Sequence, residues 1–182
     1  MKKQVVHSFS QATRYQEHAH VQRRVAHTLA DGFPSLVRPM VLELGCGTGF
    51  LSQRLLAQWP DGRFVLSDIA EPMVQRCRAH LGEREGVGYA VLDGEQLAVG
   101  GSGEYDLIAA SMVLQWFDDP LGSLLGLKKR LRPGGYLIMA TLGPESFREW
   151  REACAALAMP SGLPHYPSAS HWPGAGPAPG VP

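Results

Sequence analysis

A chain of 182 residues is long enough for one domain with a substantial core. Hydrophobic residues make up 45% of it and charged residues 19%, which excludes a disordered polypeptide. Lys plus Arg and Asp plus Glu number 17 each, so no global charge argues for nucleic acid or an anionic membrane as partner. Cys46, Cys77 and Cys154 are odd in number and form no CxxC, which speaks against a zinc ribbon or a disulfide framework and for idle thiols in a reducing compartment. The first residues lack the apolar core of a signal peptide, and no run approaches the roughly 18 apolar residues of a membrane span. A cytoplasmic location is the expectation.

In chain order, residues 5–29 read as a polar-rich helix and residues 1–38 as an N-terminal helical segment. His20 and His27 lie two turns apart there, but no third ligand follows at metal spacing, so no metal site is expected. From Met40 a strand–helix alternation begins. MVLEL is a compact apolar strand, and FLSQRLLAQW places Leu51, Leu55, Leu56 and Trp59 at helical spacing. RFVLS is a second strand ending at Asp68, and a helix with Pro72 in its first turn runs to Gly82. VGYAVLD and YDLIAAS, which ends at Ser111, are the third and fourth strands. A helix with Leu121, Leu124, Leu125 and Leu131 on one side follows WFDDP. Pro133, Gly134 and Gly135 should form a turn before a fifth strand, YLIMATL, and residues 145–157 a last helix. Apolar rather than alternating strands, interleaved with helices, predict an α/β fold with a mostly parallel sheet covered on both faces. Such sheets bind ligands at the carboxyl ends of their strands. Residues 39–158 form this domain, and 159–182, without Asp, Glu, Lys or Arg and rich in proline and glycine, read as a loose, disordered tail.

The stretch VLELGCGTGF carries Gly45, Gly47 and Gly49 on alternate positions where a strand hands over to a helix. Glycine accepts unusual dihedrals and lets a ligand touch the backbone. A phosphate loop needs a Lys–Ser/Thr pair after its last glycine, and Phe50–Leu51 stands there instead. A dinucleotide fingerprint wants a small residue where Phe50 stands, which argues against an NAD-dependent oxidoreductase. The GxGxG spacing suits a small, uncharged or zwitterionic group over the loop.

With Glu43 ahead of the glycines, this pattern resembles motif I of the class I S-adenosylmethionine-dependent methyltransferases, and the resemblance implies their Rossmann-like fold. It further implies that Gly45, Gly47 and Gly49 pass beneath the methionine moiety of S-adenosyl-L-methionine, with Glu43 near its amino-acid end. Asp68, at the end of the second strand, matches the acid that grips the ribose hydroxyls. A carboxylate suits vicinal hydroxyls because its two oxygens accept both protons. Asp93 and Gly94 match the adenine loop, and Ser111 ends the fourth strand of the same site. Without the glycine loop upstream, Asp68 would read as a helix cap, and Asp93–Gly94 is also a common turn pair.

The segments FSQATRYQEHAHVQ, SMVLQWFDDP, TLGPESFREWREAC and GLPHYPS are similar to the malonyl-acyl-carrier-protein O-methyltransferases of biotin synthesis. That resemblance implies a malonyl group on acyl carrier protein as methyl acceptor, Tyr15 and His20 on an N-terminal lid near the acyl group, and Gln115 and Trp116 at the border of the reaction pocket. An aromatic face attracts a sulfonium cation; Trp116 and Phe117 could equally be core. The run Lys128, Lys129, Arg130 and Arg132 is explained by the helix dipole, and contact with an acidic carrier protein is a weaker reading. The family's sheet has seven strands, of which five are recognisable; the terminal hairpin is missing, as if the chain were truncated, which would leave an open sheet edge. A cofactor-binding module without turnover, or a methyltransferase acting on another small carboxylic acid, is the alternative.

Overall fold

The structure is a computed structural model and describes residues 19–97, 101–172 and 174. Helix α1 (His20–Asp31) buries Ala26, Leu29 and Ala30 on one face and leaves His20 and His27 exposed. Residues 1–18 of the expected N-terminal segment, Tyr15 included, lie outside the described residues.

Strands β1 (Met40–Leu44), β2 (Arg63–Asp68), β3 (Val87–Val91), β4 (Tyr105–Ser111) and β5 (Leu131–Ala140) form one sheet in the order β3-β2-β1-β4-β5. Every neighbouring pair is parallel, so the α/β expectation holds. The connecting helices are α2 (Phe50–Gln58), α3 (Glu71–Leu81), the short α4 (Gly94–Leu97) and α5 (Pro120–Lys129), with α6 (Arg148–Ala156) after β5.

Alternation along β1 explains why the sheet needs covers on both faces. Val41 joins a cluster with Leu66, Leu107 and Ala109, roofed by Ala26 and Leu29 of α1, Leu51 and Leu55 of α2 and Cys77 of α3. Leu42 and Leu44 point the other way, into a cluster with Tyr105, Ile108, Ala110 and Leu127 of α5. Each fully buried leucine or isoleucine here stabilises the fold by about 1.5–3 kcal/mol. The chain steps outward from β1 to β3, then returns to lay β4 on the other side of β1. Connections therefore diverge above β1 and β4, and a crevice opens at their carboxyl ends.

Three expectations are corrected. Leu131 does not belong to the leucine face of α5; it begins β5, opposite Tyr105. Pro133–Gly135 are not a turn between elements but a bulge within β5: the register jumps from Tyr105↔Leu131 to Leu107↔Tyr136. The last helix starts at Arg148 rather than at 145, behind Phe147, whose φ of 59° places it in the left-handed region.

The described part of the supposed loose tail packs. The Trp150 indole donates to Ser161 O at 3.0 Å and Arg151 Nη2 to Pro164 O at 2.8 Å, while Tyr166 is buried beside Phe147. Side-chain donors satisfy carbonyls that no ladder could reach, so a proline-rich segment can be held in place. Among the described residues no strand covers the outer edge of β5, and Tyr136 there is 44% exposed. The basic run sits at the end of α5 and the start of β5, the far end of the sheet from the crevice. Arg130 pairs with Glu104 and Arg132 with Asp106.

Candidate active site

The glycine loop leaves the end of β1 and enters α2. Gly45, Gly47 and Gly49 have φ of 67°, 53° and 95°, the left-handed region that side chains avoid. The three are not equivalent. A Cβ on Gly45 would collide with Cγ2 of Val113, whereas one on Gly49 would stand in ordinary contact with Cys77 and Leu81. A Cβ on Gly47 would meet nothing within 4 Å. Gly45 lets the loop pack against Val113, Gly49 serves the left-handed turn, and the middle glycine leaves backbone bare toward the crevice.

Neighbouring elements brace this loop. Cys46 N–H donates to Ser67 O at 2.8 Å and Gly47 N–H to Asp68 Oδ2 at 3.0 Å, while Asp68 Oδ1 accepts from Ala70 N–H at 2.9 Å. His80 Nδ1 lies 2.8 Å from Thr48 O. A carbonyl only accepts, so Nδ1 carries the proton and Nε2 accepts from the Gln53 amide, also at 2.8 Å. Burial raises the Asp68 carboxyl above its usual range, against the lowering pull of the N–H groups of Ala70, Gly47 and Ile69.

A cavity opens above these strand ends, lined by Gly45, Gly47, Asp68, Asp93, Gly94, Ser111 and Trp116 among the residues singled out in the sequence. Asp93 Oδ1 accepts from Glu95 N–H at 3.0 Å and so starts α4. The Ser111 hydroxyl is buried with no partner among the described residues, an unsatisfied group at the cavity wall.

Other predicted residues stand elsewhere. Glu43 is buried one layer below the loop, 1% exposed, its Oε2 accepting from Ser52 Oγ at 2.6 Å. Burial pushes its carboxyl up to about 8, with the Ser52 bond opposing and Cys77 and Asp68 adding to the rise. It therefore carries its proton at neutral pH. Gly49 shapes the start of α2 without lining the cavity. Gln115 spends its amide on the scaffold: Nε2 donates to Met112 O at 2.9 Å and Oε1 accepts from Thr141 Oγ1 at 3.1 Å. His20 opens α1, exposed and away from the cavity lining. Cys46, Cys77 and Cys154 are free and buried.

Met112, Val113 and Phe117 are among the lining residues that the sequence reading did not assign to the site. Met112 has φ 59° just after β4, a strained conformation held by the Gln115 amide and by its own N–H bonded to Ala140 O. Val113 packs on Gly45, and the Phe117 ring lies against Gly94. Only Phe117 had a local signal, its place beside Trp116.

The family described as "Methyltransferase domain" matches residues 42–137, just over half of the chain and the part that builds the cavity. The chain belongs to this methyltransferase family. A malonyl-[acyl-carrier protein] O-methyltransferase of Magnetococcus marinus is 46% identical over 177 residues, covering 93% of this chain and 65% of that protein. The biotin biosynthesis bifunctional protein BioCD of Bordetella avium is 43% identical over 159 residues, covering 86% of this chain and 34% of that protein. This methyltransferase domain thus spans less than two thirds of the length of either relative. A solved S-adenosylmethionine dependent methyltransferase from Mesorhizobium loti superposes with a TM-score of 0.58 at 24% identity, over 65% of this chain and 53% of that one, which shows the shared fold.

Proposed function

We propose that this methyltransferase domain uses S-adenosyl-L-methionine to methylate the free carboxylate of a malonyl thioester on acyl carrier protein, a step toward a biotin precursor. One observation supports the cofactor above others. Among the described residues the cavity wall offers two carboxylates, Asp68 and Asp93, and no Lys or Arg. The middle glycine's N–H is already bonded to Asp68. A pyrophosphate over this loop would face a carboxylate and find that donor used, whereas a sulfonium and an ammonium are attracted by both acids. The residues fit the cofactor: the bare backbone at Gly47 for its amino-acid end, Asp68 for the ribose, the Asp93–Gly94 segment with Phe117 for the adenine, and the unpartnered Ser111 hydroxyl as a further hydrogen-bonding group.

When bound, the cofactor would supply an electrophilic methyl on sulfur for transfer to the acceptor carboxylate, leaving as S-adenosylhomocysteine. That carboxylate is ionised at neutral pH, so the chain need supply no general base. Its contribution is alignment and exclusion of water. Trp116, 40% exposed at the cavity, offers an aromatic face to the cation. The resemblance of the N-terminal segment supports Tyr15 and His20 as lid residues near the acyl group, with His20 exposed and outside the cavity lining. Support for the acceptor comes from the 46% identity to a relative carrying that name. The carrier protein is placed at the cavity mouth, because the run at Lys128 and Lys129 lies at the opposite end of the sheet. Among the described residues no helix is long and apolar enough to cross a membrane, and the cytoplasm remains the proposed location.

Incubation with methyl-labelled S-adenosylmethionine and malonyl carrier protein tests the reading. The expected product is a labelled methyl ester on the carrier. A folded, cofactor-loaded sample that yields none would overturn the acceptor assignment.

A further inference from the structure

The acid that follows Asp93–Gly94 has no place in the chemistry above, yet its carboxylate is fully engaged. Glu95 Oε1 accepts from Asp119 N–H at 2.8 Å and Oε2 from Asp118 N–H at 3.1 Å, and the Ser123 hydroxyl adds a 3.4 Å bond to Oε1. These partners lie 23 to 28 residues further along the chain. A helix-capping role does not explain them. Asp119 already caps α5, accepting from Gly122 N–H at 2.9 Å, and the two amides that Glu95 takes belong to the cap residue and the one before it. What Glu95 ties down is the segment leading into α5, and that segment carries Trp116 and Phe117.

Both ends of this tie reach the cavity. On one side Glu95 is the direct neighbour of Asp93–Gly94, and its own N–H is bonded to Asp93 Oδ1. On the other, the Phe117 ring sits so close to Gly94 that an added Cβ would lie 2.8 Å from Cζ. Glu95 thus joins two walls of one slot, each contributing cavity-lining residues.

We propose that Glu95 is a positioning residue: its carboxylate clasps the Trp116–Phe117 wall to the Asp93–Gly94 wall and sets the width of the slot that takes the flat adenine ring. The inference rests on the cofactor reading given above. Two parallel bonds to successive amides need two acceptor oxygens on one planar group, which Glu supplies and Gln only halves. The charge is tolerable beside Asp118 and Asp119 because it faces amides at the positive end of α5.

The test uses the full chain, with S-adenosylhomocysteine as probe in calorimetry and amide hydrogen exchange read residue by residue. Glu95→Ala should bind the probe about 10-fold more weakly, the scale of a lost bond to a charged group. Exchange at the Asp118 and Asp119 amides should speed up, while that at Leu127 within α5 stays slow. Glu95→Gln, with one acceptor oxygen left, should fall between in both measurements. Wild-type affinity in Glu95→Ala overturns the proposal. So does an affinity loss with equal loss of protection along all of α5, which would make Glu95 a helix support only. Should the Ala variant fail to fold, Glu95→Gln decides: unchanged affinity and unchanged exchange refute the clasp. If the wild type itself binds no probe, the cofactor reading fails, and unchanged exchange at Asp118 and Asp119 in Glu95→Ala then refutes the clasp separately.

Discussion

Glu43 shows how far environment can move a single carboxyl. Its folded value of about 8 lies above the ordinary 4.5, so the native state holds a proton that the unfolded chain releases. The resulting stability is complete below about pH 4.5 and drains away as pH rises toward about 8, at no more than about 1.4 kcal/mol per pH unit. Glu43→Gln keeps a neutral acceptor for Ser52 Oγ and cannot ionise. Its melting temperature should therefore fall less than that of the wild type between pH 5 and 8; parallel curves would show that Glu43 does not titrate there. Asp68 is argued from its two bonds. Asp68→Ala removes the proposed ribose acceptor and the partner of Gly47 N–H together. Binding of S-adenosylhomocysteine should weaken by about 1–3 kcal/mol, and an unchanged affinity in calorimetry would remove Asp68 from the site.

At the scale of elements, the loop between β1 and α2 separates two uses of glycine. Gly45→Ala meets both a left-handed φ and the Val113 side chain, so it should cost about 1–3 kcal/mol of stability. Gly47→Ala meets the same φ but open space. Its damage should fall mainly on ligand binding, where the new methyl stands between backbone and ligand. Melting curves with and without S-adenosylhomocysteine distinguish the two; equal losses of affinity would contradict the division. The strand ends and the glycine spacing were legible because they are local. Asp68 closes an apolar strand, and nothing distant is needed to see it. Leu131 was not, because the leucine spacing of α5 runs on into a strand that also begins with leucine. Gln115 likewise looked like a pocket residue from the resemblance of SMVLQWFDDP, but its amide turns to Met112 O and Thr141, a choice made by how β4 and β5 sit side by side.

For the whole molecule, the sheet order places β1 at its centre, flanked by β2 and β4, and leaves β3 and β5 at its margins among the described residues. Val41, Leu42, Leu107 and Ile108 have no exposure at all, whereas Val91 and Tyr136 are 52% and 44% exposed. Native-state hydrogen exchange should be slowest in β1 and β4 and faster in β3 and β5. Greatest protection in β5 would indicate a partner along its outer edge. A ligand that prefers the native state raises its melting temperature, by about 2.7 kcal/mol of added stability at one hundred times Kd. S-adenosylhomocysteine should do so where NADH does not.

Local chemistry alone determined the alternation of strands and helices, the bare-backbone loop and the acids that follow it, because dihedral preference and hydrophobic period act between near neighbours. Tertiary structure decided what those residues face. It buried Glu43 under the loop rather than in the cavity wall, set Val113 against Gly45 and Phe117 against Gly94, and bonded Glu95 to amides more than 20 residues away. Such contacts join segments remote in the chain, and only the packing of helices on both faces of the sheet brings them within reach.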